Sequence, residues 1–303
     1  MLQVSYASTG TSLSDKTRYD FFARTVPPDT FQALALVDLV QNFNWSYVSL
    51  VSSEGQYGDS GMTAFLREAR ARNICVAINE KIPHSANDTI FDQILQSLLK
   101  KSNAKVVVLF LRMDDASKLL HAVKRANKPN FFTWIASDGW GKEEKLVQGV
   151  EEVAQGALTV ELQSEKIQAF DDYMKNLTPL ENKRNPWFKE YWEDTFECTV
   201  PPDDEDVSVD QSNTVDGNKS ISYCSPNLRL DETVGYNQES KVQFVVDAVY
   251  AFAHALHNAW KDKCSPGSQI CKELKDMDGG DFYKYYLLNV SFIGKYSSNF
   301  FCL

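Results

Sequence analysis

Two kinds of chemistry-bearing residue stand out along this chain. The stretch VSYASTGTSL runs a β-prone triplet into a turn built almost wholly from Ser, Thr and Gly. Ser8 and Thr9 there offer hydroxyls, and the turn offers unencumbered backbone N–H groups, a set that suits a carboxylate or phosphate oxygen. Asp29 in PPDT and Asp138 in ASDGW are acceptors suited to an ammonium group. Tyr57, set between Gly55 and Gly58 and read as part of a flexible turn, could lay its ring face against the same cation. Anion donors at one place and ammonium acceptors at another describe an α-amino acid. Each residue also has a plainer use: Asp29 is a good helix N-cap, Asp138 could cap a turn, Ser8 and Thr9 form turns readily, and Tyr57 could be a surface aromatic.

The elements that must position these residues follow from periodicity. Between residues 29 and 162 helix-spaced and strand-like segments alternate: DTFQALALVDLVQNF then SYVSLVS, SGMTAFLREARAR then ICVAI, DQILQSLLKK then KVVVLFL, ASKLLHAVKRA then FFTWIAS, and finally ALTVEL. The strands are apolar throughout rather than alternating. That pattern predicts an α/β fold with a doubly wound parallel sheet covered by helices on both faces, with ligands at the carboxyl ends of its strands. After residue 163 the segments IQAFDDYMKNL, NPWFKEYWEDTF, SKVQFVVDAVYAFAHALHNAW and GDFYKYYLLNV read as helices, and residues 199–236 as a long polar loop. No strand run is expected between residue 163 and VSFIG at 290–294. These helices therefore look like the remainder of a domain whose sheet lies elsewhere, and the expectation is that part of it precedes Met1.

Composition narrows the function class. The 303 residues carry 31 basic and 41 acidic side chains, a net charge of −10, which disfavours nucleic acid or an anionic membrane as the main partner. No apolar run approaches the ~20 residues of a membrane span, and the N-terminus lacks signal-peptide character. Even so, five Asn-X-Ser/Thr sequons, at Asn44, Asn87, Asn176, Asn218 and Asn289, suggest a secreted glycoprotein. Of the six cysteines, Cys264 and Cys271 flank SPGSQI, while Cys198 and Cys224 flank an acidic Ser/Asn-rich stretch. Both pairs read as staples across loops, and without a CxxC pair or an HxxxH zinc is the weaker reading. Cys75 and Cys302 have no obvious mate. No cofactor is called for: GxSxG, P-loop and GxGxxG patterns are absent, and His254 and His257 lack a nucleophile nearby in sequence, so an enzyme is not expected.

The segments YASTGTSLSDKTRYDFFARTVPPDTFQA, SEGQYGDSGMTAF, IASDGWG and RNPWFKEYWEDTFEC resemble the extracellular ligand-binding domain of metabotropic glutamate receptors, which are class C G-protein-coupled receptors. Within that family LRMDDASKLL, GWGKEEKLVQG and YNQESKVQFVVDAVYAFAHALH resemble group II members. The resemblance implies a bilobed clamshell of the periplasmic-binding-protein type closing on L-glutamate, with residues 1–24 and 164–303 an incomplete lobe 1 and residues 25–163 lobe 2. It implies that Ala7 (backbone), Ser8 and Thr9 hold the α-carboxylate, and that Asp29, Asp138 and the Tyr57 ring meet the α-ammonium. Lys241 would bind the distal carboxylate, with Arg112 at a position where group II receptors also carry arginine, and Glu143 stands where some relatives have a basic residue. It agrees with the two disulfide pairs and leaves Cys75 free in this chain. It further implies a homodimeric parent at the plasma membrane, this domain outside the cell, signalling through a G protein. A chain lacking part of lobe 1 is expected to bind glutamate weakly or not at all. A soluble amino-acid-binding module of the same fold, or a truncated product without function, stays open at this point.

Overall fold

A computed structural model describes residues 1–182, 184–201, 213–216, 219–267, 269–294 and 300–302. The α/β class expected from the alternation is what the chain adopts. Strand β1 (Gln3–Ser5) pairs in parallel with β2 (Phe22–Arg24), and helix α1 (Asp29–Asn42) follows. The chain then winds β3 (Tyr47–Ser53), α2 (Gln56–Ala71), β4 (Cys75–Ile82), α3 (Asp88–Leu99), β5 (Val106–Phe110), α4 (Met113–Arg125) and β6 (Thr133–Ala136). Two single-turn helices, α5 (Glu144–Val147) and α6 (Glu151–Ala154), lead to the two-residue strand β7 (Leu158–Thr159).

Strands β3 to β7 form one sheet in the order β4-β3-β5-β6-β7, every pairing parallel. All of β5 is buried and so is nearly all of β3, because helices cover both faces. On one face Phe91, Leu95 and Leu98 of α3 and Leu119 and Val123 of α4 pack against Val107, Leu109 and Trp134. On the other, Leu36, Val37 and Val40 of α1 and Ala64 and Phe65 of α2 pack against Leu50, Val108 and Ile135. The first strand of this sheet lies inside the order, between the second and the third. That reversal is the doubly wound switch point, and it opens a crevice at the carboxyl ends of β3 and β5.

The chain divides into two compact units, Met1–Ser164 with Phe244–Leu303, and Glu165–Gln243. In the first, Ala23 of β2 packs with Ala251, Ala255 and Ala259 of α9 (Val242–Lys263), with Phe282 from α11 (Gly279–Phe282), and with Tyr283 and Leu287 of the π-helical turn that follows. Strand β10 (Ser291–Ile293) pairs antiparallel with β11 (Phe300–Cys302), and α10 (Lys272–Lys275) follows the Cys264–Cys271 disulfide.

In the second unit α8 (Phe188–Phe196) supplies Phe188, Trp192 and Phe196 to an apolar cluster that Met174 of α7 (Gln168–Asn176) joins, and Cys198 is bonded to Cys224. The long loop expected over 199–236 is corrected here: β8 (Asn213–Asp216) and β9 (Lys219–Ser222) form an antiparallel hairpin. These strands are polar, so no apolar run marked them in the sequence.

Candidate functional site

Four of the eight residues singled out for ligand contact meet at the carboxyl ends of the parallel sheet. Gly55 takes a φ of +116° after β3, a conformation glycine adopts at no steric cost, and α2 begins at once. Tyr57 is therefore not in a flexible turn, as read from its flanking glycines, but in the first turn of a 16-residue helix. Its hydroxyl donates to Asp138 Oδ1 at 2.6 Å. With that single proton committed, the Ser137 hydroxyl at 2.7 Å and the Gly139 amide at 3.1 Å must both donate to Tyr57. The phenol is saturated, and burial first, then the Asp138 charge, holds its pKa well above the usual value. Gly139 is required here, since a Cβ would lie 2.0 Å from the Leu111 carbonyl oxygen.

Asp29 sits at the start of α1 and is fully buried. The capping role that its position suggests is not the one it plays: Pro28 occupies the N-cap and no side chain caps the helix. Its Oδ1 accepts from Gln32 Nε2 at 3.4 Å, while Gln32 Oε1 accepts the Asp138 amide at 3.0 Å. One glutamine thus links the two acids. The hydroxyls of Thr9 and Ser60 lie close enough to favour the charged carboxylate, yet neither makes a well-formed hydrogen bond to Oδ2, which is buried without a partner. Burial is the largest influence on this carboxyl, and with the nearby Asp138 charge it raises the pKa. A buried acid oxygen without a donor is costly, about 1–3 kcal/mol. A cation placed between Asp29 and Asp138 would relieve it.

The Ser-Thr turn reaches this cluster through its backbone. Thr9 is buried and its carbonyl accepts the Asp29 amide at 2.8 Å. The Ser8 amide is taken by Ser5 Oγ at 3.1 Å, which in turn donates to Ser8 Oγ at 2.9 Å. Ala7, next to it, is exposed. Beyond the turn, the Thr11 amide donates to Ser60 Oγ at 2.8 Å and Gln56 Nε2 to Ser12 Oγ at 2.6 Å, so the turn lies on the first turns of α2.

Arg112 and Lys241 are placed differently. Arg112 follows β5 and directs its guanidinium onto Asp115 Oδ2, at 2.8 and 3.1 Å, with His84 Nδ1 at 3.2 Å. Asp115 also accepts from Ser53 Oγ at 2.6 Å, which fixes Arg112 at the end of the sheet beside the switch point. Lys241 belongs to the other compact unit and is half-buried.

The residues missed from sequence are Gln32, Ser60, Ser137 and Gly139. Gln32 stands three residues after Asp29 and Ser60 three after Tyr57, so helical spacing alone sets each beside a residue already singled out.

Among the described residues no group of three or more His, Cys, Asp or Glu side chains is arranged to hold a metal ion, and no helix is long and apolar enough to cross a membrane. Cys75 is a free, exposed thiol. Asn87 caps α3 through its side-chain oxygen, Asn44, Asn176 and Asn289 lie at element ends, and Asn218 lies outside the described residues.

The model of the receptor family ligand-binding region matches residues 1–295. The chain is 53% identical over 322 residues to the metabotropic glutamate receptor of Drosophila melanogaster, covering 96% of this chain and 33% of that protein. To metabotropic glutamate receptor 4 of mouse and of rat it is 41% identical over 293 residues, covering 96% of this chain and 31% of each relative. It thus spans about a third of the length of the relatives it matches. Crevice, acid pair and anion-suited turn lie within the matched residues, and the chain belongs to the family of receptor ligand-binding regions.

Proposed function

We propose that this chain is the amino-acid-binding part of a metabotropic glutamate receptor and that its ligand is L-glutamate. The observation carrying the reading is the pair formed by fully buried Asp29 and half-buried Asp138, joined through Gln32, with one oxygen of Asp29 lacking a donor. Such a pair calls for a cation with several N–H donors. The Ser8–Thr9 turn adjoining it supplies donors for a carboxylate, so the two ends of an α-amino acid are served side by side. In this reading residues 1–24 and 164–303 belong to one lobe and residues 25–163 to the other, and glutamate shifts the pair toward closure by contacts made only in the closed state. Lys241 is assigned the distal carboxylate on the family resemblance alone, and group II character rests likewise on Arg112 and Glu143. The parent is a homodimer at the plasma membrane with this region outside the cell, coupled to a G protein.

The experiment is glutamate binding and signalling in a full-length receptor carrying this chain as its ligand-binding segment. Asp138→Ala is expected to abolish the response, because truncating one partner of a charge-assisted pair in a closed cleft costs roughly 2–5 kcal/mol. Lys241→Ala should weaken glutamate more than amino acids without a distal acid. A glutamate potency for Asp138→Ala within about threefold of the parent, less than 1 kcal/mol, would leave Asp138 a turn residue and the reading without its main support.

A further inference from the structure

The turn that would receive the ligand carboxylate is shaped from behind by a residue outside the ligand set. Arg24, at the end of β2, sends Nη1 to the Ser8 carbonyl at 3.1 Å and to the Gly10 carbonyl at 2.9 Å, and Nη2 to the Ser14 hydroxyl. The carbonyl between them, that of Thr9, is held by the Asp29 amide at 2.8 Å. Three consecutive carbonyls are thus drawn toward the body of the protein. In a trans peptide the N–H points opposite to the C=O. Fixing the Ser8 carbonyl on Arg24 and the Thr9 carbonyl on Asp29 therefore points the Thr9 and Gly10 N–H groups away from those partners, and among the described residues neither donates to a protein acceptor. The Arg24 guanidinium is half-buried and lies over the Phe22 ring, 5.9 Å from its centroid, so the fork itself is restrained.

We infer that Arg24 is a positioning residue for anion binding: by clamping the Ser8 and Gly10 carbonyls it presents the Thr9 and Gly10 amides, and a positive charge behind them, to the α-carboxylate of the ligand. It touches the turn and not the ligand. A lysine offers a single nitrogen for two carbonyls 16 and 14 residues away in sequence and for the Ser14 hydroxyl, so the planar fork is what the geometry uses. The inference rests on the amino-acid reading above and adds to it the residue that orders one half of the site.

The test compares L-glutamate with its α-carboxamide, isoglutamine, in the full-length receptor carrying this chain. Arg24→Met is expected to weaken glutamate by a factor of at least ~10, as for loss of hydrogen bonds from a charged group. It should change isoglutamine affinity by less than ~3-fold, because the ammonium contacts are untouched. Arg24→Lys, which keeps the charge and guards against a folding defect in Arg24→Met, should fall between Met and the parent and narrow the glutamate preference in the same sense. An equal loss for both ligands in both variants would make Arg24 a purely structural residue and overturn the inference. So would unchanged glutamate affinity. If the unsubstituted receptor binds glutamate and isoglutamine alike, the carboxylate reading of the turn fails first, and this inference with it.

Discussion

Asp29 is the residue at which burial and charge are most opposed. Its carboxyl is fully buried and its pKa is raised, chiefly by loss of hydration and secondly by Asp138. A carboxyl whose folded pKa exceeds its unfolded value binds more protons in the native state, so its favourable contribution is complete below the unfolded pKa and is lost as pH rises through the folded one. At neutral pH, without added ligand, Asp29 is therefore a liability. Asp29→Asn should raise the melting temperature at pH 7, by up to the few degrees that about 1 kcal/mol represents in a chain this size, and the difference should vanish by pH 4. It should also remove glutamate binding. Thermal melts at the two pH values check the first part; a variant less stable at pH 7 than the parent would show that the carboxylate is satisfied in the ligand-free protein. The acids and the aromatic were legible one by one from residue type. Their connection was not: Gln32 and Ser137 lie inside the quoted segments, but their role as links becomes visible only when α1 and the β6 end are brought together.

The elements were legible where periodicity was strong. Helices α1 to α4 and strands β3 to β6 fall where the 3.6-residue and apolar-run patterns put them. What failed was local: α2 begins at Gln56 rather than after Gly58, because a positive-φ glycine ended the preceding strand loop without any turn residues to spare. The hairpin β8–β9 was hidden in a polar stretch, and only two residues of ALTVEL pair as β7. Helix α2 has a tight seat. A Cβ on Gly61 would come within 2.1 Å of the Phe110 ring of β5, a clash that must be relieved by moving a buried ring or the helix. Gly61→Ala should cost about 1–3 kcal/mol of stability and should weaken glutamate as well, since Tyr57 rides one turn away on the same helix. Denaturant unfolding together with ligand titration reads both; an alanine that leaves stability and affinity unchanged would mean that α2 has slack and that Tyr57 is not positioned by it.

At the scale of the whole molecule, the two disulfides matter. The Cys198–Cys224 bond closes a 26-residue separation in the Glu165–Gln243 unit. In the loop-entropy picture it contributes roughly 3–4 kcal/mol, a large share for a unit whose buried cluster centres on Phe188, Trp192, Val200 and Leu230. Cys198→Ser should unfold that unit at lower denaturant while leaving the five-stranded unit's transition in place. A single, unshifted transition would show the bond to be dispensable. The five-stranded unit owes its stability instead to burial on both sheet faces, which made its strands readable from sequence; in the other unit α7 and α8 were readable and the polar strands β8 and β9 were not. Both pairings were readable from cysteine spacing, whereas the division into units was not, because α9 runs across it.

The central claim is that Asp29 and Asp138, with Tyr57 holding the second of them, form a seat for the α-ammonium group of an amino acid. Glutarate has both carboxylates of glutamate and no amino group. Competition of glutarate against L-glutamate, in the full-length receptor carrying this chain and at fixed pH and salt, isolates that interaction. Glutarate should be weaker by about 100-fold or more, the equivalent of a charge-assisted interaction of about 3 kcal/mol. Displacement by glutarate at concentrations equal to those of glutamate would contradict it, because Asp29 and Asp138 would then be binding nothing of the ligand.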